Sequence, residues 1–510
     1  MANIASRRYT VLYRAKQRAG CELTEVDMKD LMVSVSGVRG VVGYSLTPEV
    51  ATRFAAAFGT FIAGGMVVVG RDSRASSPML FHAICAGLMA SGCQILDVGM
   101  CPTPTVLMVS KKMKANGSIV ITASHNPVEW NGLEFASGSG RLLTTEEQDK
   151  LWQIYQSGTI RFSPWNEQGR IEILETAIEI HLEQILNCRW ISLERTHRRN
   201  LKVVIDAGNG AGSQISPILL ERLGCEVVQL HCIPDGLFPR PSEPTPEALN
   251  QLCKIVNAES ADLGLAHDGD ADRLVIVDQR GNAISSEYTF VLIADFMLSK
   301  ATKFILNSTE DWHDRRTTSQ ADLVATVSTS RMIDDVANRH NANLFRVPVG
   351  VGFVVEKMRQ RSEQQQMSTG GILGGEGTGG VIFPELQYTT DGIAAIAAIV
   401  QMLADSDQSI SHHVEAFPQY AMHKMKIDVA SPKVASLLLG RIAEIFATNS
   451  EADLDLTDGV KRIWSDRWVN IRKSGTEPVI RIFSEAPSQA EAEQLCLQTS
   501  EHLNRLGSIQ

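Results

Sequence analysis

Three aspartates at alternate positions, Asp268, Asp270 and Asp272, sit between two apolar runs. Leu263 and Leu265 precede them, and Leu274-Val275-Ile276-Val277 follows. The second run reads as a strand. A loop caught between apolar runs crowds three like charges together, so each carboxylate makes the next harder to ionise. Two arrangements answer this: an exposed acidic turn, or a small divalent cation gathering hard oxygens at one point. The flanking runs favour the cation, a magnesium-type site. An EF-hand also starts Asp-x-Asp-x-Asp, but it requires glycine next and glutamate at position twelve, where this chain has Arg273 and Gln279.

Three more loops carry chemistry. Ile119-Val120-Ile121 reads as a strand and ends in Thr122-Ala123-Ser124-His125-Asn126-Pro127. Asn126 precedes a proline, so the chain turns there. Ser124 then lies beyond the carboxyl end of a strand, where α/β proteins place their sites; the plain alternative is a helix cap. Ile372-Leu373 leads into Gly374-Gly375-Glu376-Gly377-Thr378-Gly379-Gly380. Its glycines let backbone approach a ligand, while Glu376 and Thr378 supply polar groups; alone, it would pass for a flexible turn. Trp468-Val469-Asn470-Ile471 leads into Arg472-Lys473-Ser474-Gly475-Thr476-Glu477-Pro478, a phosphate cradle or a solvated basic turn.

Taken together in this order, the four loops resemble the α-D-phosphohexomutase family, and the likeness runs from about Val33 to Ala486. The resemblance implies phosphoryl transfer between the C6 and C1 hydroxyls of an aldohexose, through a phosphoserine and a hexose 1,6-bisphosphate that is both intermediate and activator. It implies that Ser124 is the phosphoserine. One Mg2+ per chain would be held by Asp268, Asp270, Asp272 and an oxygen on Ser124. Glu376 and Thr378 match the sugar loop. Arg472, Ser474, Gly475 and Thr476 match the loop for the distal phosphate, with Arg273 beside the transferred group. Ser36-Gly37-Val38-Arg39-Gly40 matches the family's opening loop, whose arginine faces the active centre; without the resemblance Arg39 would be a surface arginine in a glycine turn. His125 is a candidate for proton transfer or for orientation. The implied fold is α/β: three related α/β/α domains with mixed sheets plus a smaller α+β C-terminal domain, arranged around a central cleft. The loop sequences look most like the phosphoglucosamine mutase branch, with phosphomannomutase or phosphoglucomutase next.

One position departs from the pattern. The family reads Asn-Gly-Ile-Lys or similar after the serine turn, and this chain reads Asn131-Gly132-Leu133-Glu134. Glu134 is a general base, the mark of a lost cation, or a residue facing solvent. A weakened sugar-phosphate-binding homologue is the reading that would follow if its charge repelled phosphate.

Composition narrows the setting. Fifty-eight acids against 48 Lys and Arg give a net charge of -10, which argues against nucleic acid as a partner. No run of about 18 apolar residues is present, so no transmembrane helix is expected. Nine cysteines without a Cys-x-x-Cys pair fit reduced thiols in a cytoplasm better than zinc or a disulfide framework. The expected partner is a small sugar phosphate, and no motif speaks to oligomeric state. Asp206-Ala207-Gly208-Asn209-Gly210-Ala211-Gly212 imitates a dinucleotide fingerprint, but the next strand ends on Gln229 without a ribose-binding acid.

A length of 510 residues suggests three or four domains. Residues 1–30 start basic, with no apolar core for a secretory signal, and are expected to be a disordered extension or the product of an upstream start codon, with Met28 or Met32 near the start of the fold. The remaining boundaries fall at 31–165 for the phosphoserine domain, 177–278 for the metal domain, 287–404 for the sugar domain and 412–510 for the C-terminal domain. Thr47 and Pro48 should open a helix. Asp391-Gly392 should open an alanine-rich one. Residues 307–320 read as an exposed insertion.

Overall fold

A computed structural model describes residues 31–34, 37–307, 320–365, 372–448, 451–474 and 479–507. The expectations for residues 1–30, Gly475 and Thr476, and for nearly all of 307–320, lie outside the described residues.

One four-strand unit occurs three times. In the first sheet Gly65–Arg71 pairs in parallel with Cys93–Met100 and Gly117–Ile121, and Trp130–Ser137 joins Gly117–Ile121 antiparallel. In the second, Lys202–Asp206 takes the central place between Glu226–Leu230 and Leu263–His267, and Leu274–Asp278 is the antiparallel neighbour. In the third, Asp322–Thr326 lies between Asn343–Val347 and Ile372–Gly375, with Val381–Ile382 antiparallel. Each unit therefore ends in a hairpin whose connection leaves the carboxyl end of a parallel strand. Those connections are the Ser124 loop, the aspartate loop and the Glu376 loop.

The continuous apolar runs follow from burial on both faces. Val67 and Val69 enter one core cluster while Val68 enters another. Val203 and Ile205 alternate with Val204 in the same way, and Leu323 and Ala325 with Val324. A strand covered on both sides by helices has no polar face to show.

The first sheet is larger than its unit. Gly37–Val41 and Met32–Ser34 extend it beyond Trp130–Ser137. At the other edge Ile171–Ile173 pairs with Cys93–Met100. The first domain's sheet thus takes a strand from beyond the boundary read at 165, a strand too short to carry a periodic signal. The helix Pro48–Phe61 starts with Thr47 as cap and Pro48 at its first position, as the sequence indicates. Gly392–Ser406 is capped by Asp391, and every residue from Gly392 to Ala404 is buried. A helix that is apolar all round must be covered all round. This one packs on Leu193–Arg199 and Gly212–Arg222 as well as on Glu287–Asn307, so one core cluster spans the second and third units.

The C-terminal unit is a five-stranded antiparallel sheet in the order Ala421–Asp428, Val479–Ala486, Trp468–Lys473, Val460–Ile463, Asp453–Asp455. Met425 and Ile427 alternate with exposed Lys424, Lys426 and Asp428. A single apolar cluster gathers the strands with residues of Pro432–Ala447 and Gln489–Gly507. No helix of the described residues is long and apolar enough to cross a membrane.

Candidate active site

Ser124 occupies the left-handed region at φ 47°, uncommon for a residue with a side chain, and only 3% of it is exposed. Strain of this kind persists only where surroundings over-determine it. They do so here through Arg74, which is 1% exposed. Its guanidinium donates to the carbonyls of Ser124 (2.9 Å), Asn126 (2.8 Å), Pro127 (2.6 Å) and Trp130 (2.9 Å), and to Asp72 Oδ2 (3.0 Å). Thr122 Oγ1 donates to the same Asp72 oxygen at 2.8 Å and accepts the Ser124 N–H at 2.9 Å. Arg74 is not among the residues that the sequence singles out. Its five donors matter only once the loop it ties is folded beside it.

The aspartate loop meets Ser124 directly. Ser124 Oγ donates to Asp268 Oδ2 at 3.0 Å. Gly269 is required at this approach, because a Cβ there would sit 2.7 Å from Ser124 O and 2.9 Å from Ser242 Oγ. The Oδ2 of each aspartate accepts from a hydroxyl: Asp268 from Ser124, Asp270 from Thr103 at 2.7 Å, Asp272 from Thr390 at 2.8 Å. The Oδ1 of each is buried with no hydrogen-bond partner. One oxygen from each aspartate lies within 4.8 Å of the others. Burial, then Asp272 and Asp270, push the Asp268 carboxyl well above its ordinary range; burial and Asp272 push Asp270 up to about 6. Orphaned buried oxygens and mutual repulsion among hard donors are what a divalent cation would relieve, so these residues fit Mg2+.

Arginines surround the pair. Arg273 Nε lies 3.6 Å from both Asp268 Oδ2 and Asp272 Oδ1. Its Nη2 is 3.3 Å from His125 Nδ1. Arginine only donates, so Nδ1 accepts and the His125 proton sits on Nε2. Burial, with Arg273, Arg39, Arg481 and Arg74 nearby, pushes the His125 pKa down to about 2. His125 is therefore neutral, a hydrogen-bond donor through Nε2 in a field that attracts anions.

Arg39 and Glu134 lie on adjacent strands. Arg39 Nη2 is 2.9 Å from Glu134 Oε1, and Arg39 Nη1 donates to Asn126 Oδ1 (3.0 Å) and Ala123 O (3.4 Å). Glu134 is 5% exposed, which rules out the solvent-facing alternative. Burial, against the pull of Arg39, pushes its carboxyl up to about 8.

Glu376 Oε1 accepts the Gly350 N–H at 3.1 Å, and burial raises its pKa while Arg273 pulls it down. Thr378 Oγ1 is buried without a hydrogen-bond partner. Arg472 reaches the same place from the C-terminal unit: its Nε is 3.0 Å from Asp458 Oδ2, which accepts the Val349 N–H at 3.1 Å. Adjacent amides, Val349 and Gly350, thus join the Arg472 side to Glu376. Ser474 is 2% exposed and donates its N–H to Val479 O. Sequence reading missed Thr103, Thr390 and Asp458. A threonine between two prolines at a helix start, Pro102-Thr103-Pro104, was the one visible signal.

The comparisons with known proteins agree along the chain. Residues 31–161, 179–281 and 291–420 match alpha/beta/alpha domains I, II and III of phosphoglucomutase/phosphomannomutase, and 425–502 match its C-terminal domain. A phosphoglucomutase/phosphomannomutase of Thermococcus kodakarensis is 38% identical over 464 residues, 90% of this chain and 95% of that one. A "Probable phosphoglucosamine mutase" of Pyrococcus abyssi is 36% identical over 461 residues, 90% and 95% of the two chains. A solved phosphoglucomutase/phosphomannomutase family protein from Burkholderia thailandensis superposes with a TM-score of 0.76 at 27% identity, covering 93% of this chain and 98% of its own.

Proposed function

The chain belongs to the phosphoglucomutase/phosphomannomutase family, the α-D-phosphohexomutases, and from that membership we propose how its site works. It is a phosphohexomutase, an isomerase of hexose phosphates. Ser124 is the phosphoryl carrier in this proposal. The observation that carries it is the 3.0 Å bond from Ser124 Oγ to Asp268 Oδ2, beside three buried aspartate oxygens with no hydrogen-bond partner.

Transfer proceeds in two balanced halves. The P–O bond to phosphorylated Ser124 breaks as a P–O bond forms to the free C1 or C6 hydroxyl, whose proton leaves while the freed Ser124 oxygen takes one up. The bisphosphate turns end for end. The other P–O bond then breaks, the phosphoryl returns to Ser124 Oγ, which gives up its proton, and the vacated sugar oxygen takes one up. No water is consumed. Positioning and charge neutralisation dominate such a transfer. Asp268, Asp270, Asp272 and an oxygen on Ser124 would hold Mg2+, which when bound supplies charge neutralisation at the transferring group. Arg273 and Arg39 add fixed positive charge, and His125 Nε2–H donates to a phosphoryl oxygen. Glu134 takes and returns the hydroxyl proton; a carboxyl held near 8 exchanges protons close to neutrality. Glu376 and Thr378 receive sugar hydroxyls. Arg472 and Ser474, with Gly475 and Thr476, grip the distal phosphate in either orientation.

Glucosamine phosphate is the substrate we favour, supported by the name of the Pyrococcus abyssi relative and by the loop sequences. Glucose or mannose phosphate is the second reading, supported by the name of the Thermococcus kodakarensis relative. The pairing of Glu134 with Arg39 supports an active mutase over a weakened binding homologue. A cytoplasmic setting is supported by the eight described cysteines, all free thiols.

Turnover of glucosamine 6-phosphate, glucose 1-phosphate and mannose 1-phosphate, each with magnesium and the matching bisphosphate, tests this. The highest kcat/KM is expected on glucosamine 6-phosphate, with phosphate on Ser124 by peptide mass spectrometry. Full activity in Ser124→Ala would end the phosphoserine mechanism.

A further inference from the structure

Carboxylate ligands hold a cation only as well as the groups behind them hold the carboxylates. The aspartate loop belongs to the second unit, yet its hydroxyl partners come from the first and third. Thr103 opens the helix Thr103–Lys112, and Thr390 immediately precedes the cap of Gly392–Ser406. Both threonines are nearly sealed, at 3% and 2% exposed. Thr103 is held twice, because its N–H also donates to Asp270 O at 3.1 Å.

One buried network stands behind both. His181 contacts Thr105 Oγ1 through Nδ1 at 2.8 Å and Asp391 Oδ2 through Nε2 at 3.0 Å. Gln387 Nε2 donates to Asp391 Oδ2 at 3.2 Å and to Pro104 O at 2.9 Å. Asp391 Oδ1 accepts the N–H groups of Ile393 and Ala394. Thr105, His181 and Asp391 are fully buried. Two helix starts from different domains are thereby locked together, with Thr103 on one and Thr390 beside the other.

We propose that Thr103 and Thr390 are positioning residues for the cation site, set by the His181–Asp391 network. Each hydroxyl occupies one oxygen of its aspartate, fixes the carboxylate's rotation, and leaves the other oxygen for the cation. Neither residue touches substrate. The inference rests on the cation reading above. A merely structural role would satisfy the same buried acceptors without affecting affinity for metal.

The test measures Mn2+ binding to the full chain by electron paramagnetic resonance titration, with no turnover. Thr103→Val and Thr390→Val keep shape and remove the hydroxyl, and each should weaken Mn2+ binding about tenfold or more. Thr103→Ser and Thr390→Ser should restore it to within about twofold, since the donor returns. His181→Gln leaves the hydroxyl partners of Asp268, Asp270 and Asp272 in place and should weaken binding severalfold, by loosening both helix starts. Wild-type affinity in a folded valine variant overturns the proposal; if neither valine variant folds, wild-type affinity in His181→Gln does so. Wild-type protein that binds no Mn2+ overturns the cation reading itself, a separate outcome.

Discussion

Arg39 Nη2 and Glu134 Oε1 lie 2.9 Å apart across the paired strands Gly37–Val41 and Trp130–Ser137, both nearly sealed from water. A lysine at 134 would place like charge at contact distance in a poorly hydrated spot. Glu134→Lys should therefore lower both activity and the thermal midpoint, whereas the lost-cation reading expects activity to rise. Glu134→Gln keeps an acceptor for Arg39 and isolates the proton role. Its kcat should fall about a hundredfold or more, the usual range for losing a general base. Stability adds a second readout. The carboxyl titrates near 4.5 in an unfolded chain and about 8 when folded, so its stabilisation is full below 4.5 and lost as pH rises through 8. Glu134→Gln cannot ionise, so its midpoint should gain on wild type across that window. A flat difference by calorimetry would count against the raised carboxyl.

Asp270 offers a prediction of unusual sign. Burial and Asp272 raise its carboxyl from 3.8 to about 6, so stability is full below 3.8 and lost as pH climbs through 6. Chelated wild-type protein at neutral pH then bears the whole repulsion. Asp270→Asn still accepts the Thr103 hydroxyl, and should raise the midpoint of chelated protein by a few degrees, the usual scale for about 1 kcal/mol. Activity should nevertheless largely disappear, because a hard ligand is gone. Added Mg2+ should raise the wild-type midpoint and leave the variant's nearly unmoved. A variant stabilised by Mg2+ as strongly as wild type would remove Asp270 from the cation site.

Arg74→Lys tests the support of the Ser124 loop. Lysine offers three donors from one point and cannot span four carbonyls and Asp72. Disrupting a buried, hydrogen-bonded charge pair costs about 3–5 kcal/mol. Denaturant unfolding should show a loss on that scale, and kcat should fall with it because Ser124 is no longer forced into the left-handed region. Unchanged stability would mean that the loop holds itself.

Much of the site was legible in the sequence because its chemistry is packed into short contiguous loops. Asp268, Asp270 and Asp272 suggest a cation site by their spacing between two apolar runs, and Ser124 stands where a strand run ends. Glu376 and Arg472 were legible for the same reason, each following an apolar run by a few residues. Thr47 with Pro48, and Asp391 with Gly392, marked helix starts through capping chemistry that acts within one turn.

What the sequence by itself determined, then, is which loops hold the candidate site's chemistry and that strands covered on both faces alternate with helices, since both are set by neighbours within a few residues. Tertiary structure alone decided which oxygen of each aspartate is left without a hydrogen-bond partner. Thr103 is 167 residues from Asp270, and Thr390 is 118 from Asp272. It alone decided that Glu134 pairs with Arg39 across 95 residues, that Ile171–Ile173 completes the first sheet, and that Gly392–Ser406 serves two domains. Apolar periodicity records that a side chain is buried, but not against which domain. A hydrogen bond between distant residues depends on where whole domains come to rest, and no local pattern encodes that.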